Sequence, residues 1–208
     1  MNAIAASVRS AFYKKHMELV LATNNKHKIT EIKSILGKSF SGILSLSEAG
    51  LCVDVEETGS TFAENAFLKA STVCKLSGKA ALADDSGLEV DALGGAPGIY
   101  SARYAGEDQN DENNIKKLLS VLKEENDRRA SFTTVLCLCY PDGKTVYATG
   151  KTFGTILYEK TGDNGFGYDP VFFSEDLKKS FGEATAEEKN SVSHRSRALH
   201  ALLEKIDF

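Results

Sequence analysis

Asp84 and Asp85 stand side by side in Ala80-Ala81-Leu82-Ala83-Asp84-Asp85-Ser86-Gly87-Leu88-Glu89-Val90, two acids between apolar runs. Carboxylates mounted rigidly at a strand end can hold a divalent cation or take a proton from water, and slack in the mount would abolish either. By pattern, residues 80–83 and 88–90 are two short strands, and residues 84–87 form the sharp reversal between them. Solvated turns share that composition, so the tetrapeptide by itself leaves a plain turn open.

Three further stretches carry groups that could meet a ligand. Thr23, Asn24, Asn25, Lys26, His27 and Lys28 follow a strand over 18–23 and precede a helix with Ile29, Ile32, Ile35 and Leu36 inward and Gly37 as its stop. Strand, polar turn and helix is a phosphate-binding layout: unpaired N–H groups at the helix start, neutral donors from Thr23 and the asparagines, full charges from Lys26 and Lys28. No Walker A spacing is present, and a solvated helix start would show the same residues. Phe166 between Gly165 and Gly167 offers a ring on which a flat ligand could stack, with local packing as the alternative. His194 and Arg195 open the last helix, where cationic side chains oppose the helix dipole unless they face an acceptor-rich ligand.

The elements that must position these groups follow from periodicity. Cys52–Val55 reads as a short strand leading into Glu56 and Glu57. A helix then starts with Thr61 and Glu64 in capping-box spacing, carries a buried stripe of Ala63, Phe67, Ala70 and Cys74, and ends at Gly78. Stabilisation of that helix start accounts for either glutamate. The glycine-rich run from Leu93 to Tyr104 reads as a site loop, and a hairpin turns at Pro141-Asp142-Gly143. Strands with helices between them give one α/β domain on a long mixed twisted sheet, with two lobes flanking a cleft. Residues 1–16 form an N-terminal extension and 17–208 the folded domain.

Composition narrows the function classes. The net charge of −4 and pI near 5.6 argue against a dedicated nucleic-acid binder, which needs a basic face, while leaving small anionic ligands open. No apolar run approaches the roughly 20 residues that span a bilayer, so no membrane partner is expected. Cys52, Cys74, Cys137 and Cys139 lie in apolar stretches without C-x-x-C spacing, the pattern of buried reduced thiols, and a cytoplasmic location follows.

Together these pieces resemble the inosine triphosphate pyrophosphatase family, the non-canonical purine nucleoside triphosphate pyrophosphatases. The resemblance runs from Leu19 to about Leu203. It is carried by Ala22 to Lys28, Glu56-Glu57-Thr58-Gly59, Phe62-Ala63-Glu64-Asn65-Ala66, Ala83 to Leu88, Gly94 to Tyr104, Gly165-Phe166-Gly167-Tyr168-Asp169-Pro170 and Ser193-His194-Arg195. It implies a Mg²⁺-dependent hydrolase, usually a homodimer, that converts inosine, deoxyinosine and xanthosine triphosphates to the monophosphate and pyrophosphate. It also implies that the cleft between the lobes is a central nucleotide-binding cleft, and it implies residue roles. Thr23 to Lys28 bind the triphosphate, Glu56 and Asp85 hold the metal, Asp85 accepts the proton, and Ser86 contacts substrate; on physical grounds Lys28 with the metal would neutralise charge growing on the leaving pyrophosphate. Phe166, Gly167, Tyr168, Asp169, Lys189, His194 and Arg195 fall at base-binding positions. Many members have Gly where Asn24 and His27 stand, which puts the phosphate loop's local backbone in doubt. A Maf-like pyrophosphatase with another base preference, or a nucleotide sensor without turnover, are the rival readings.

Overall fold

Leu19, Val20 and Leu21 form an apolar run that is completely buried in β1 (Glu18–Leu21), with Glu18 exposed at its start. In the computed structural model, which describes residues 17–206, β1 pairs in parallel with β2 (Gly42–Leu44) and with β3 (Ala80–Val90), Leu19 standing opposite Ile43 and Ala80. The N-terminal extension expected over residues 1–16 lies outside the described residues. Helix α1 (Lys26–Leu36) connects β1 to β2, and α2 (Phe62–Ser77) precedes β3. Gly78 ends α2 at a φ of 65°, the left-handed cap that glycine supplies without strain.

Downstream lie α3 (Asp111–Val121), β4 (Arg129–Cys139), β5 (Thr145–Ile156), β6 (Phe172–Ser174), β7 (Lys179–Ser180), α4 (Ala186–Val192) and α5 (His194–Lys205). The strands form one sheet in the order β2-β1-β3-β4-β5-β6-β7, with parallel pairing at β1 and antiparallel pairing among β5, β6 and β7. This is the mixed α/β domain that the alternation of strand and helix patterns predicts.

Two compact units divide the described chain. One holds residues 17–85, Val135–Thr149 and residues 198–206; the other holds Ser86–Thr134 and Gly150–Arg197. In the first, alternate strand residues feed two cores. Leu19, Leu21 and Leu82 pack with Ile32 and Leu36 of α1 and Leu199 and Leu202 of α5, while Val20, Ala81 and Ala83 pack with Ala66, Ala70 and Val73 of α2. In the second, Leu88, Ile115, Leu118, Phe132, Phe172 and Phe181 form the core, the Phe132 and Phe172 rings 4.6 Å apart.

Four local expectations are corrected. The chain does not reverse at residues 84–87, because β3 runs unbroken through all eleven of its residues. Gly87 is there for space: a Cβ would come 2.2 Å from the Gly98 carbonyl oxygen and 2.6 Å from Ser101 Oγ. Residues 52–55 form no strand, and Cys52 is exposed; the other three cysteines are buried. Phe67 is exposed and Ala63 only half-buried, so the inward face of α2 is Asn65, Ala66, Ala70, Val73 and Cys74. Finally, Glu64 makes only half of a capping box with Thr61, its backbone N–H donating to Thr61 Oγ1. Its carboxylate accepts from the backbone N–H and hydroxyl of Ser60 instead, whereas Thr185 and Glu188 at the start of α4 do form the full box.

Candidate active site

Because β3 is continuous, the two aspartates point to opposite faces of the sheet. Asp84 shares the face of Leu82 and meets α1, where Lys28 Nζ lies 3.1 Å from its Oδ2. Asp85 shares the face of Ala81 and Ala83 and meets α2. There Asn65 Nδ2 donates to Asp85 Oδ2 at 3.1 Å, and Lys69 Nζ lies 3.6 Å from Asp85 Oδ1. Asn65 and Lys69 are one helical turn apart, so one stripe of α2 reaches both oxygens of one carboxylate. The same Lys69 ammonium donates to Glu57 Oε1 at 2.5 Å.

Burial pushes the Asp85 carboxyl above the ordinary aspartate range, and Glu57 adds to that, while the Lys69 and Lys28 ammonium groups and the Asn65 amide pull it back. Lys69 shows the converse balance. Burial alone would depress it, but Asp85, Asp84 and Glu57 outweigh burial and raise its pKa. A raised acid in a dry setting suits proton acceptance better than an exposed one. Glu56 is exposed and makes no ion pair among those of the described residues. Glu57, its neighbour, reaches the same Lys69 ammonium as Asp85.

Among the described residues no three His, Cys, Asp or Glu side chains gather in a cluster suited to a metal ion. Mg²⁺ bound together with a triphosphate needs only one or two protein carboxylates, the remaining positions going to phosphate and water. Glu57 and Asp85 converge on one ammonium, so hard oxygen donors already attract positive charge at that place. The donor set fits Mg²⁺.

The Thr23 to Lys28 loop follows β1 directly. Its backbone is shaped from within: Thr23 Oγ1 accepts from Asn25 N, and Asn25 Oδ1 caps α1 by accepting from the backbone N–H groups of His27 and Lys28 at 3.0 and 3.2 Å. Those two N–H groups are thus engaged by the cap rather than left open as the sequence pattern predicts. Asn24 Nδ2 donates to the Val53 carbonyl, and Lys26 is exposed. Positive side chains, more than open backbone groups, give this loop its character.

The second unit gathers the remaining candidates. Asp169 Oδ2 accepts from the Phe166 backbone N–H at 2.8 Å and from Lys189 Nζ at 2.7 Å, and the ammonium lies 4.5 Å from the Phe166 ring centroid. Gly165 is required here, since φ is 79° and a Cβ would fall 2.1 Å from that same Oδ2. Gly167 N donates to Asp111 Oδ2, tying the loop to the first turn of α3. Tyr168 is buried, with its hydroxyl donating to the Ser101 carbonyl; burial, then Tyr104 and Asp111, raise its pKa. Tyr168 and Asp169 therefore anchor the Phe166 loop, and Phe166 is the ring they present. His194 stacks on Phe132 at 4.8 Å and 14° between planes, and Arg195 Nη2 donates to Ser86 Oγ at 3.0 Å. Arg195 is almost fully buried, and the Ser86 hydroxyl is a hydrogen-bond partner that the sequence does not reveal.

The sequence profile of the Ham1 family matches residues 19–205. The chain belongs to the Ham1 family. Similar relatives include a dITP/XTP pyrophosphatase of Clostridium perfringens, 50% identical over 91% of this chain and 97% of its own. Another is a dITP/XTP pyrophosphatase of Bacillus subtilis, 46% identical over 89% of this chain and 94% of its own. Among solved structures, the Staphylococcus aureus Ham1 protein superposes with a TM-score of 0.81 at 47% identity, covering 90% of this chain and 98% of that one. A HAM1 protein from Coxiella burnetii gives 0.83 at 39% identity, covering 91% and 100%.

Within this Ham1 chain the structure adds Asn65 and Lys69 to the residues singled out by sequence, and gives Glu57 and Asp84 their lysine partners. Asn65 and Lys69 carry a signal in hindsight: a polar and a charged residue four apart on the inward side of an otherwise apolar helix. Glu57 could not be separated from Glu56 by type or spacing, because only the loop's path decides which of two consecutive side chains turns inward.

Proposed function

We propose that this chain hydrolyses non-canonical purine nucleoside triphosphates, deoxyinosine, inosine and xanthosine triphosphates, to the monophosphate and pyrophosphate, with Mg²⁺ as cofactor. The observation that carries the reading is Asp85, buried at the face of α2 with Asn65 and Lys69 on its two oxygens and Glu57 on the same ammonium. Membership of the Ham1 family, with relatives named dITP/XTP pyrophosphatase over nearly their whole length, supports the substrate class. A homodimer in the cytoplasm completes the reading, the location supported by four free thiols.

In this proposal Asp85 takes a proton from the attacking water, the water oxygen bonds to the α-phosphorus, and the bond from that phosphorus to the bridging oxygen breaks. Pyrophosphate leaves with the electron pair. Lys28 and Lys69 offset charge growing on the phosphate oxygens, and Lys26 with the rest of the Thr23 to Lys28 loop orients the chain of phosphates. Glu57 and Asp85 would hold Mg²⁺, which when bound polarises phosphate oxygens and neutralises the leaving group. The purine stacks on Phe166, whose loop Asp169, Lys189 and Asp111 fix. His194 and Arg195 are the donors available to a 6-oxygen; adenine would present them with a 6-amino donor and leave them unpaired.

The test is phosphorus NMR of deoxyinosine triphosphate turned over with Mg²⁺ in ¹⁸O-labelled water. Monophosphate carrying the label plus intact pyrophosphate is expected. Diphosphate with orthophosphate would mean attack at the γ-phosphorus and would overturn the assignment.

A further inference from the structure

Asn65 is fully buried on α2 and uses both ends of its amide. Its Oδ1 accepts from Gly59 N at 2.8 Å, and its Nδ2 donates to Asp85 Oδ2 at 3.1 Å. The orientation of the amide is forced, because a backbone N–H can be met only by the carbonyl oxygen, which turns the NH₂ toward the carboxylate. Two residues before Gly59 stands Glu57, whose carboxylate is on Lys69 one turn along the same helix. One side chain thus ties the loop bearing Glu57 to the strand bearing Asp85.

The space for that tie is built in as well. A Cβ on Gly59 would lie 2.7 Å from Asn65 Oδ1 and 2.7 Å from Glu64 Cβ, so glycine at 59 is what lets the amide reach the backbone. Gly59 has no left-handed φ; its role is clearance. Aspartate at 65 would keep the acceptor toward Gly59 and lose the donor toward Asp85, and an apolar residue would lose both.

We propose that Asn65 is a positioning residue that sets the spacing between the Glu57 and Asp85 carboxylates, with Gly59 as its necessary partner. The proposal rests on the pyrophosphatase reading for its kinetic consequence only. Because Asn65 donates to one oxygen of Asp85, the other is left to the side of Lys69, where Glu57 also lies. Loss of the tie lets the loop and the strand move apart while the triphosphate loop over Thr23 to Lys28 stays intact.

The experiment compares Asn65→Ala, Asn65→Asp and Gly59→Ala with the wild type by two readouts, after thermal melts confirm folding. The first is binding of Mn²⁺ alone, without nucleotide, followed by the electron paramagnetic resonance of the free ion. The second is kcat and KM for deoxyinosine triphosphate. All three variants should weaken Mn²⁺ binding by about 10- to 100-fold, the usual range when the support behind a metal-holding group is lost, and lower kcat by a similar factor with KM changed less than about threefold. Asn65→Asp, shaped like the original, should be no better than alanine. A folded Asn65→Ala enzyme with Mn²⁺ affinity and kcat within about twofold of wild type would overturn the proposal and leave Asn65 a stability residue. If Asn65→Ala does not fold, Gly59→Ala decides by the same criteria. A wild-type protein that leaves deoxyinosine triphosphate intact would sink the functional reading alone, since the Mn²⁺ comparison still tests the tie.

Discussion

Lys28 and Asp84 form an ion pair of 3.1 Å in which the carboxylate side chain is entirely buried while the lysine keeps 17% of its surface exposed. The two ends are therefore unequal. Removing the lysine leaves a buried carboxylate, whereas neutralising the aspartate leaves an ammonium that can turn toward water.

Lys28→Met should accordingly cost more stability than Asp84→Asn. Breaking a buried pair from the side that strands the buried charge typically costs about 3–5 kcal/mol, and Lys69, which also feels Asp84, places the expected loss near the lower figure. Urea unfolding of the two variants checks this. Equal losses, or a larger loss in Asp84→Asn, would show that the pair is not organised around the buried acid.

Asp85→Asn should fold and lose at least about a hundredfold in kcat, the lower scale for a lost general base. Glu57→Gln should raise the Mg²⁺ concentration needed for half-maximal pyrophosphate release, and Glu56→Gln should not, because only Glu57 reaches Lys69 beside Asp85. A magnesium titration in which Glu56→Gln is the affected variant would return the metal role to Glu56.

The contrast between those two glutamates shows what sequence could and could not give. Apolar runs and helical spacing place β1, α1, α2 and α5 within a few residues, but the stripe read for α2 put exposed Phe67 inward, because spacing locates a helix more firmly than it fixes which side meets the sheet. The aspartates were visible as a pair, but not their division between two faces. That division depends on β3 continuing through Gly87, and Gly87 reads as a turn until Ser101 and Gly98 are seen packed against it. Likewise Tyr168 and Asp169 were visible as members of a glycine-rich run, whereas their work as anchors rests on partners 67 and 20 residues away in the chain.

Glu48, which shares a cleft with Thr23, Asn24 and Lys26, gives a pH test read on stability rather than turnover. Hydrogen bonds from Lys33 and then Ser45 lower its carboxyl from the ordinary 4.5 to about 2. A depressed acid contributes stability above its unfolded pKa and loses it as pH falls through the folded one. The wild-type melting temperature should therefore decline from near pH 4.5 toward pH 2 more steeply than that of Glu48→Gln. Parallel profiles would mean that the carboxylate gains nothing from Lys33 and Ser45 in solution.

The last prediction separates presenting a ring from touching a ligand. Phe166→Ala removes the surface for stacking and should raise KM for deoxyinosine triphosphate with kcat largely kept, because binding of ground and transition states falls together. Stacking of a base on an aromatic ring is worth about 1–3 kcal/mol, roughly a five- to 150-fold rise in KM. Asp169→Asn should move KM the same way although Asp169 is itself buried, because it weakens the hold on both the Phe166 N–H and Lys189. It should also lose more stability than Phe166→Ala, since Lys189 is left as a buried ammonium without its carboxylate at 2.7 Å. Steady-state kinetics and thermal melts on both variants give the answer. A raised KM in Phe166→Ala with wild-type kinetics in Asp169→Asn would show that the ring holds its place without the aspartate, and Gly167 with Asp111 would then be the anchor that matters.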